Sequence, residues 1–382
     1  MILRNQSLPE KIVPRHDLIK IIHRYILKEI TLSFIFGFLF FNFVLLIGII
    51  FDLTELLFVE NISFLDVGKL LLFKLPSSFD IVIPLSLLFA SLLTFGRLSS
   101  DGEIIAFMSS GINLLRIERT LLIFAFILSM VSLYFSSSLT PWCNRHYSQV
   151  FQRIIFEEPT IQIKERTITD FENRKLYTHN IDLKTGKMQK IILYEFLPQK
   201  DYLFPQIVIA QKGEFEEKTL RLEGITFYLF GKNYRILRQG EFNSQTIYSA
   251  SQLLKKTEEI KRTGELSLTE ISQKIKEEKA KEKLDKEKIK ELAVEFHGRI
   301  AIPLATFLLA LIALPLGISI KRGEKSISLG ISLIIAIIYY VLFLAGRFLG
   351  KGGLLPPYLA MWMPNLLLGI ACIWLTRKAT KI

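Results

Sequence analysis

The sequence predicts an α-helical membrane protein with six transmembrane helices and an all-β, jelly-roll-like domain inserted between helices three and four. Three observations predict it. Long uncharged apolar runs recur at both ends of the chain. Basic residues cluster between some of those runs and not others. The middle third alternates apolar and polar residues with a period of two.

The apolar runs come first. Half of the 382 residues are hydrophobic, and the mean hydropathy is +0.36; both are high for a soluble protein. The segments 30–51, 120–139, 300–320, 326–346 and 354–376 carry no charge, and 75–96 is interrupted only by Asp80. Each approaches or exceeds the roughly 20 residues that a spanning helix needs. The first run follows a mostly polar leader, is longer than the apolar part of a secretion signal and has no small-residue cleavage site, so it reads as a retained span.

The net charge of +12 is distributed as a topology signal. Lys11, Arg15, Lys20, Arg24 and Lys28 precede span one. Arg97, Arg116 and Arg119 lie between spans two and three. Lys321, Arg322 and Lys325 lie between spans four and five, and Arg377, Lys378 and Lys381 follow span six. The positive-inside rule places these four segments, and both termini, in the cytoplasm. The β domain then falls on the opposite side, the periplasm of a bacterial inner membrane. Charges dispersed at helix ends do not form a nucleic-acid surface, so no nucleic acid is expected. Cys143 and Cys372 fall at opposite membrane faces, which predicts neither a disulfide nor a metal site.

Along the chain, residues 1–29 are expected to hold a cytoplasmic or interfacial N-terminal helix. Within it DLIKIIHRYILKE (17–29) reads either as an interfacial helix with a basic face or as an extension of span one. Residues 30–139 hold spans one to three. Residues 140–264 hold short β runs: TIQIKERTIT, KIILYEF, QIVIAQKGEF, TLRLEGITFYLF, YRILRQGEF and SQTIYSAS. Their number and turn signals fit a sandwich, a jelly roll or an open curved sheet. Residues 265–294 read as a charged connecting helix opened by a Ser267/Glu270 capping box. Residues 295–382 hold spans four to six.

The segment GRLSSDGEIIAFMSSGIN (96–113), between spans two and three, contains the most informative pattern. Ser100 and Glu103 have capping-box spacing, and Gly111 is a helix terminator, which predicts a short cytoplasmic helix over Asp101–Ser110. Ile104, Phe107, Met108 and Gly111 share one side of it. With the acidic first turn of Asp101 and Glu103, that side suits docking on a soluble partner. Spacing alone leaves Glu103 open between helix cap and partner contact.

No energy source is encoded in the chain. The nearest approach to a phosphate-binding loop, Gly346-Arg-Phe-Leu-Gly350-Lys351, is one residue short and lacks the Ser/Thr. No catalytic residue, cofactor or metal is expected. Asp80, flanked by Pro76 and Pro84, is the one ionisable residue well inside a span, and such residues mark functional sites. At the outer end of span four, Glu295, His297 and Arg299 form a polar cluster, read as an interfacial anchor or a ligand contact. Arg347 and Lys351 at the outer end of span five either snorkel or meet lipid phosphates.

Taken together, RYILKE, LPSSFDIVIPLSLL, GRLSSDGEIIAFMSSGIN, EFHGRIAIPLA, LPLGI, YYVL and PPYLAMWMPNLLL resemble, in order and spacing, the LptF/LptG (YjgP/YjgQ) permeases of the lipopolysaccharide export ABC transporter. The resemblance covers nearly the whole chain, and its SDGE sequence is slightly more LptF-like. It implies a heterodimer with a second permease of the same type. It implies an LptB-like cytoplasmic ATPase dimer gripping segment 97–113 as a coupling helix, with Glu103 at the family's acidic position. It further implies passage of lipopolysaccharide to LptC/LptA-like periplasmic bridge proteins. The sequence departs from the family at the outer end of span one. Some members carry lysines there that contact lipid phosphates; here Phe51 stands near that place, followed by Asp52 and Glu55. Phe51, Asp80, Arg347 and Lys351 are therefore the lipid-contact candidates. The alternative is a non-transporting membrane scaffold with a β-rich binding domain; an intramembrane enzyme lacks the residues.

Overall fold

The computed structural model describes residues 15–57, 63–112, 114–157, 165–171, 174–182, 187–196, 206–216, 219–230, 236–249, 263–281, 284–319 and 325–379. Lys11, Lys321, Arg322, Lys381 and parts of the first and last expected strands lie outside them. The chain divides into two compact units. One comprises Met1–Leu45, Ser77–Leu139 and Ser267–Ile382; the other comprises Leu46–Pro76 and Thr140–Leu266.

The helices are α1 (Arg15–Leu57), α2 (Phe64–Lys74), α3 (Phe79–Ser100), α4 (Glu103–Ser109), α5 (Leu114–Tyr134), α6 (Thr140–Glu157), α7 (Leu268–Ala280), α8 (Lys286–Ser319), α9 (Lys325–Lys351) and α10 (Pro357–Ala379). Six helical stretches among them are long and apolar enough to cross a membrane: Lys20–Thr54, Phe64–Ser100, Arg116–Ile154, Lys286–Gly317, Ile327–Lys351 and Pro357–Arg377. Because α1 is unbroken, DLIKIIHRYILKE is an extension of span one. The second stretch is not one regular helix. A 3-10 turn over Leu75–Ser78 separates α2 from α3, where Pro76 withholds an amide from the α-helical ladder.

In the first unit α8 is central, packing against α3, α5, α7, α9 and α10. Ile22, Ile26 and Ile30 recur at i,i+4 on α1, and this stripe is buried with Leu87, Phe95 and Leu98 of α3 and Ile117 and Leu121 of α5. Inside a membrane, lipid tails compete for such apolar contacts, so polar side chains and close backbone approach supply specificity. Ser129 Oγ donates to the Pro303 carbonyl at 2.7 Å. Asn365 Nδ2 donates to the Ala301 carbonyl at 2.8 Å while its Oδ1 accepts from Tyr339 at 3.1 Å, tying α8, α9 and α10 together. The Gly346/Gly350 pair, whose spacing approaches a phosphate loop, is a small-xxx-small packing seam. A Cβ at Gly346 would stand 2.2 Å from the Ala360 carbonyl oxygen, so α9 and α10 touch there backbone to backbone.

The charged segment after the β region is two helices rather than one. Ser267 and Glu270 form the expected capping box on α7. The chain turns extended at Lys281 and re-forms as α8, which runs straight into span four. Glu278 is 7% exposed and accepts from Lys281 and Lys288, each at 2.8 Å, clamping the break. The segment is therefore only partly a solvated face: Ile271 is buried as well.

In the second unit, Leu53 of α1, Val67 and Leu70 of α2 and Ile154 of α6 share a core. Asn144 and Ser148 of α6 bond Gly264 and Glu265 of a 3-10 turn, at 3.1 and 2.8 Å. The strands are β1 (Ile168–Phe171), β2 (Arg174–Ile181), β3 (Lys187–Glu195), β4 (Gln206–Glu216), β5 (Thr219–Phe230) and β6 (Ile236–Ser249). They form one six-stranded antiparallel sheet in sequence order. Each described strand pairs with its neighbours in sequence, giving the antiparallel β domain that the sequence places between spans three and four. The sheet's buried face carries Leu176, Met188, Ile191, Val208, Leu222 and Ile225. Its alternation slips at Lys190 in β3 and at Gly224 in β5, which adopt φ of 52° and 64°. RKLYTHNI, too polar to register as a strand in the sequence, is β2.

Candidate functional site

The segment between spans two and three builds the site. α3 continues through Ser100, so Ser100 is helical and has no extended backbone with which to cap the next helix. Asp101 and Gly102 turn the chain instead, with Gly102 in the left-handed region at φ 72° and no side-chain cap on α4. The Ser100/Glu103 capping box is thus corrected, and α4 is shorter than the expected Asp101–Ser110 helix. Its end is as expected: Gly111, at φ 75°, donates to the Met108 carbonyl at 2.9 Å and Ile112 to that of Phe107 at 3.0 Å, a Schellman motif.

Released from capping, Glu103 points toward the bundle. Its Oε1 accepts from the Tyr25 hydroxyl at 3.1 Å. That hydroxyl accepts from Arg97 Nη2 at 2.9 Å, and the same nitrogen lies 3.3 Å from Glu29 Oε2. A hydrogen-bonded chain therefore joins α4 to α3 and to α1. The sequence reading named Glu103 but missed Tyr25, Glu29 and Arg97. The spacing of Tyr25 and Glu29, one helical turn apart on α1, was the only signal for them.

The apolar side of α4 is also redistributed. Ile104 is 3% exposed and belongs to the bundle core, with Phe107 packed against it. Met108 is 55% exposed, and Ile105, not named from the sequence, is 68% exposed. The outward surface of the turn and helix thus includes Asp101, Ile105 and Met108. Facing is set by where α3 ends, which hydrophobic spacing over one short helix does not reveal.

At the other end of the spans the polar residues pair with one another. Glu295 accepts from Arg299 at 3.0 Å and from Arg347, and Glu291 accepts from Lys351 at 2.8 Å. Arg347 and Lys351 thus fasten α9 to α8 rather than standing free. His297 lies 3.5 Å from the Trp362 indole nitrogen. Asp80 is at the start of α3. Its carbonyl accepts from Tyr340 at 2.9 Å, its carboxyl interacts with Ser136 and the charges of Arg299 and Glu295, and its Oδ1 is buried with no hydrogen bond among the described residues. Phe51 is 76% exposed on α1.

Six apolar helical stretches, an antiparallel sheet inserted between the third and fourth, and a short linked helix between the second and third define a multi-span membrane protein with an inserted β domain. The family model described as "Lipopolysaccharide export system permease LptF/LptG" matches residues 24–378. The chain belongs to the LptF/LptG family: it is a transporter permease of the lipopolysaccharide export system rather than a catalytic enzyme, a multi-pass membrane protein, and a member of an ABC transporter that includes an ATPase and a partner permease. No curated protein matches the chain.

Proposed function

We propose that the chain is one half of a permease heterodimer whose α4 docks on an LptB-like cytoplasmic ATPase dimer and passes its movement into span one. The observation that carries this reading is the Glu103–Tyr25–Arg97–Glu29 chain. A docking helix tied to α1 by consecutive hydrogen bonds moves α1 when it is pushed. Asp101, Ile105 and Met108 present the acidic and apolar contacts, and Glu103 holds the linkage and lies next to the partner's surface.

With the basic span ends in the cytoplasm, both termini are cytoplasmic and the sheet is periplasmic. Lipopolysaccharide leaves the inner membrane laterally and passes along the sheet to LptC/LptA-like bridge proteins. Acyl chains favour the membrane by about 0.8 kcal/mol per CH₂, so extraction requires the work that ATP hydrolysis supplies through α4. Phe51 offers an apolar contact to the lipid. Arg347 and Lys351 reach its phosphates by exchanging Glu295 and Glu291, and Asp80, His297 and Arg299 stand behind that exchange.

Co-purification of the full chain with its ATPase, followed by ATP hydrolysis of the assembly, tests the reading. Glu103→Lys is expected to depress hydrolysis; an assembly that forms and hydrolyses ATP unchanged, or a chain that captures no ATPase, overturns it. Cysteines placed in β4 and after α10 and probed from each side of the membrane test the topology.

A further inference from the structure

A groove of about 640 Å³ opens between the first turns of span one on α1 and of span three on α5. Its back is closed by a hydrogen bond between His23 Nδ1 and Thr120 Oγ1. Arg24 and Arg119 flank its polar end, both exposed, and neither has a hydrogen bond or ion pair among the described residues. Two acidic groups of the same helices, Glu29 and Glu118, are engaged or buried: Glu29 pairs with Arg97, and Glu118 is 5% exposed. Below the arginines the lining is apolar, formed by Leu27, Ile123 and Phe124. The groove is therefore two-ended, cationic at the membrane surface and greasy toward the bilayer core.

We propose that this groove binds an anionic glycerophospholipid, with Arg24 and Arg119 on the phosphate and one acyl chain along Leu27, Ile123 and Phe124. Guanidinium forks match phosphate oxygens in geometry and charge, and basic pockets between helices at the cytoplasmic face suit anionic headgroups. The acyl chain contributes fit rather than preference, because it leaves an equally apolar bilayer. Selectivity therefore comes from the two arginines. The groove lies at the end of the spans that carries the clustered basic residues, so its lipid comes from the cytoplasmic leaflet. Only that leaflet assignment rests on the topology proposed above. This site differs from the outer-end candidates for the exported lipid. It binds α1 to α5 beside the Tyr25 linkage, so an occupied groove would stiffen the base on which α4 pulls.

Native mass spectrometry of the detergent-purified full chain, titrated with phosphatidylglycerol or with phosphatidylcholine of the same acyl chains, tests the site. Each basic side chain at an anionic lipid surface contributes roughly fivefold, so a preference of about 25-fold for phosphatidylglycerol is expected. The Arg24→Gln/Arg119→Gln variant should lose that preference. The Lys276→Gln/Lys279→Gln variant, whose lysines are exposed on α7, should keep it. Equal retention of the two lipids by the wild-type chain overturns the proposal, as does an unchanged preference in the arginine variant. Displacement of the lipid by an equal concentration of inorganic phosphate, or stronger retention of lipopolysaccharide at the groove, overturns it too. A photo-crosslinker at Ile127 should yield a phospholipid adduct; a protein adduct alone shows that a partner helix occupies the groove. If the arginine variant fails to fold, the wild-type comparison and Ile123→Trp, which fills the groove and should block phosphatidylglycerol, still decide.

Discussion

The Tyr25 hydroxyl donates to the Glu103 carboxylate at 3.1 Å across 78 residues of sequence. The bond joins the first membrane span to the short helix between spans two and three. With Arg97 donating to the same hydroxyl at 2.9 Å, Tyr25 bridges α4 to the guanidinium that reaches Glu29. Tyr25→Phe removes only that bridge and leaves the ring in place. A net loss of about 1–3 kcal/mol of stability is expected for the two hydrogen bonds that the hydroxyl makes. The functional loss should be larger: ATP hydrolysis by the assembly persists while lipopolysaccharide extraction falls. Extraction that falls in step with hydrolysis would instead place Tyr25 outside the coupling path.

Two adjacent isoleucines on α4 should separate docking from folding. Ile104 is 3% exposed in the bundle core and Ile105 is 68% exposed. Ile104→Ala creates a cavity, and a loss of about 2–5 kcal/mol is expected, read as a lower thermal midpoint of the purified chain. Ile105→Asp should leave that midpoint unchanged and weaken capture of the ATPase. Reversal of the two outcomes would show that the helix faces the other way.

How much of this was legible in the sequence depends on the range of the interaction that decides each feature. The spans were legible because each is a property of about 20 consecutive residues, and Gly111 and the Ser267/Glu270 box because caps act within one turn. The failures needed information from elsewhere. Ser100 looked like a cap because nothing local says that α3 continues through it. The pairing of Arg347 with Glu295 and of Lys351 with Glu291, 52 and 60 positions apart, is not announced by the sequence around any of the four. β2 was missed because its buried face, Leu176 and Ile181, is separated by polar residues that only pairing with β3 organises. The order in which the described strands pair, β1 to β6, is likewise set between strands, and alternation within one strand cannot reveal it.

The break between α7 and α8 should respond to acid. Lys281 first, and Lys288 second, hold the Glu278 carboxyl below its ordinary value of 4.5. A carboxyl with a folded value below its unfolded one adds stability above the unfolded value and loses it as pH falls through the folded value. Hydrogen exchange of the α7 amides should therefore quicken as pH drops below 4.5, beyond the change set by intrinsic exchange chemistry. Glu278→Gln should flatten that acid limb and expose α7 at neutral pH. An acid limb that survives in Glu278→Gln would assign it to another carboxyl.

The α9–α10 seam gives the sharpest structural test. At Gly346 an added Cβ meets the Ala360 carbonyl oxygen at 2.2 Å, and backbone cannot swing aside as a side chain does. The neighbouring helix must shift, which also strains the Tyr339–Asn365–Ala301 hydrogen bonds that cross the same helices. Overpacking of this kind costs about 1–3 kcal/mol where side chains can yield; against a carbonyl the upper end or more is expected. Gly330 lies on the same helix with nothing within 4 Å of its added Cβ, so Gly330→Ala is the matched control. Gly346→Ala should lower the thermal midpoint and the yield of monodisperse protein in detergent, and Gly330→Ala should leave both unchanged or slightly improved. If the two alanine variants behave alike, α9 and α10 do not meet at Gly346, and GRFLG is an ordinary helix end.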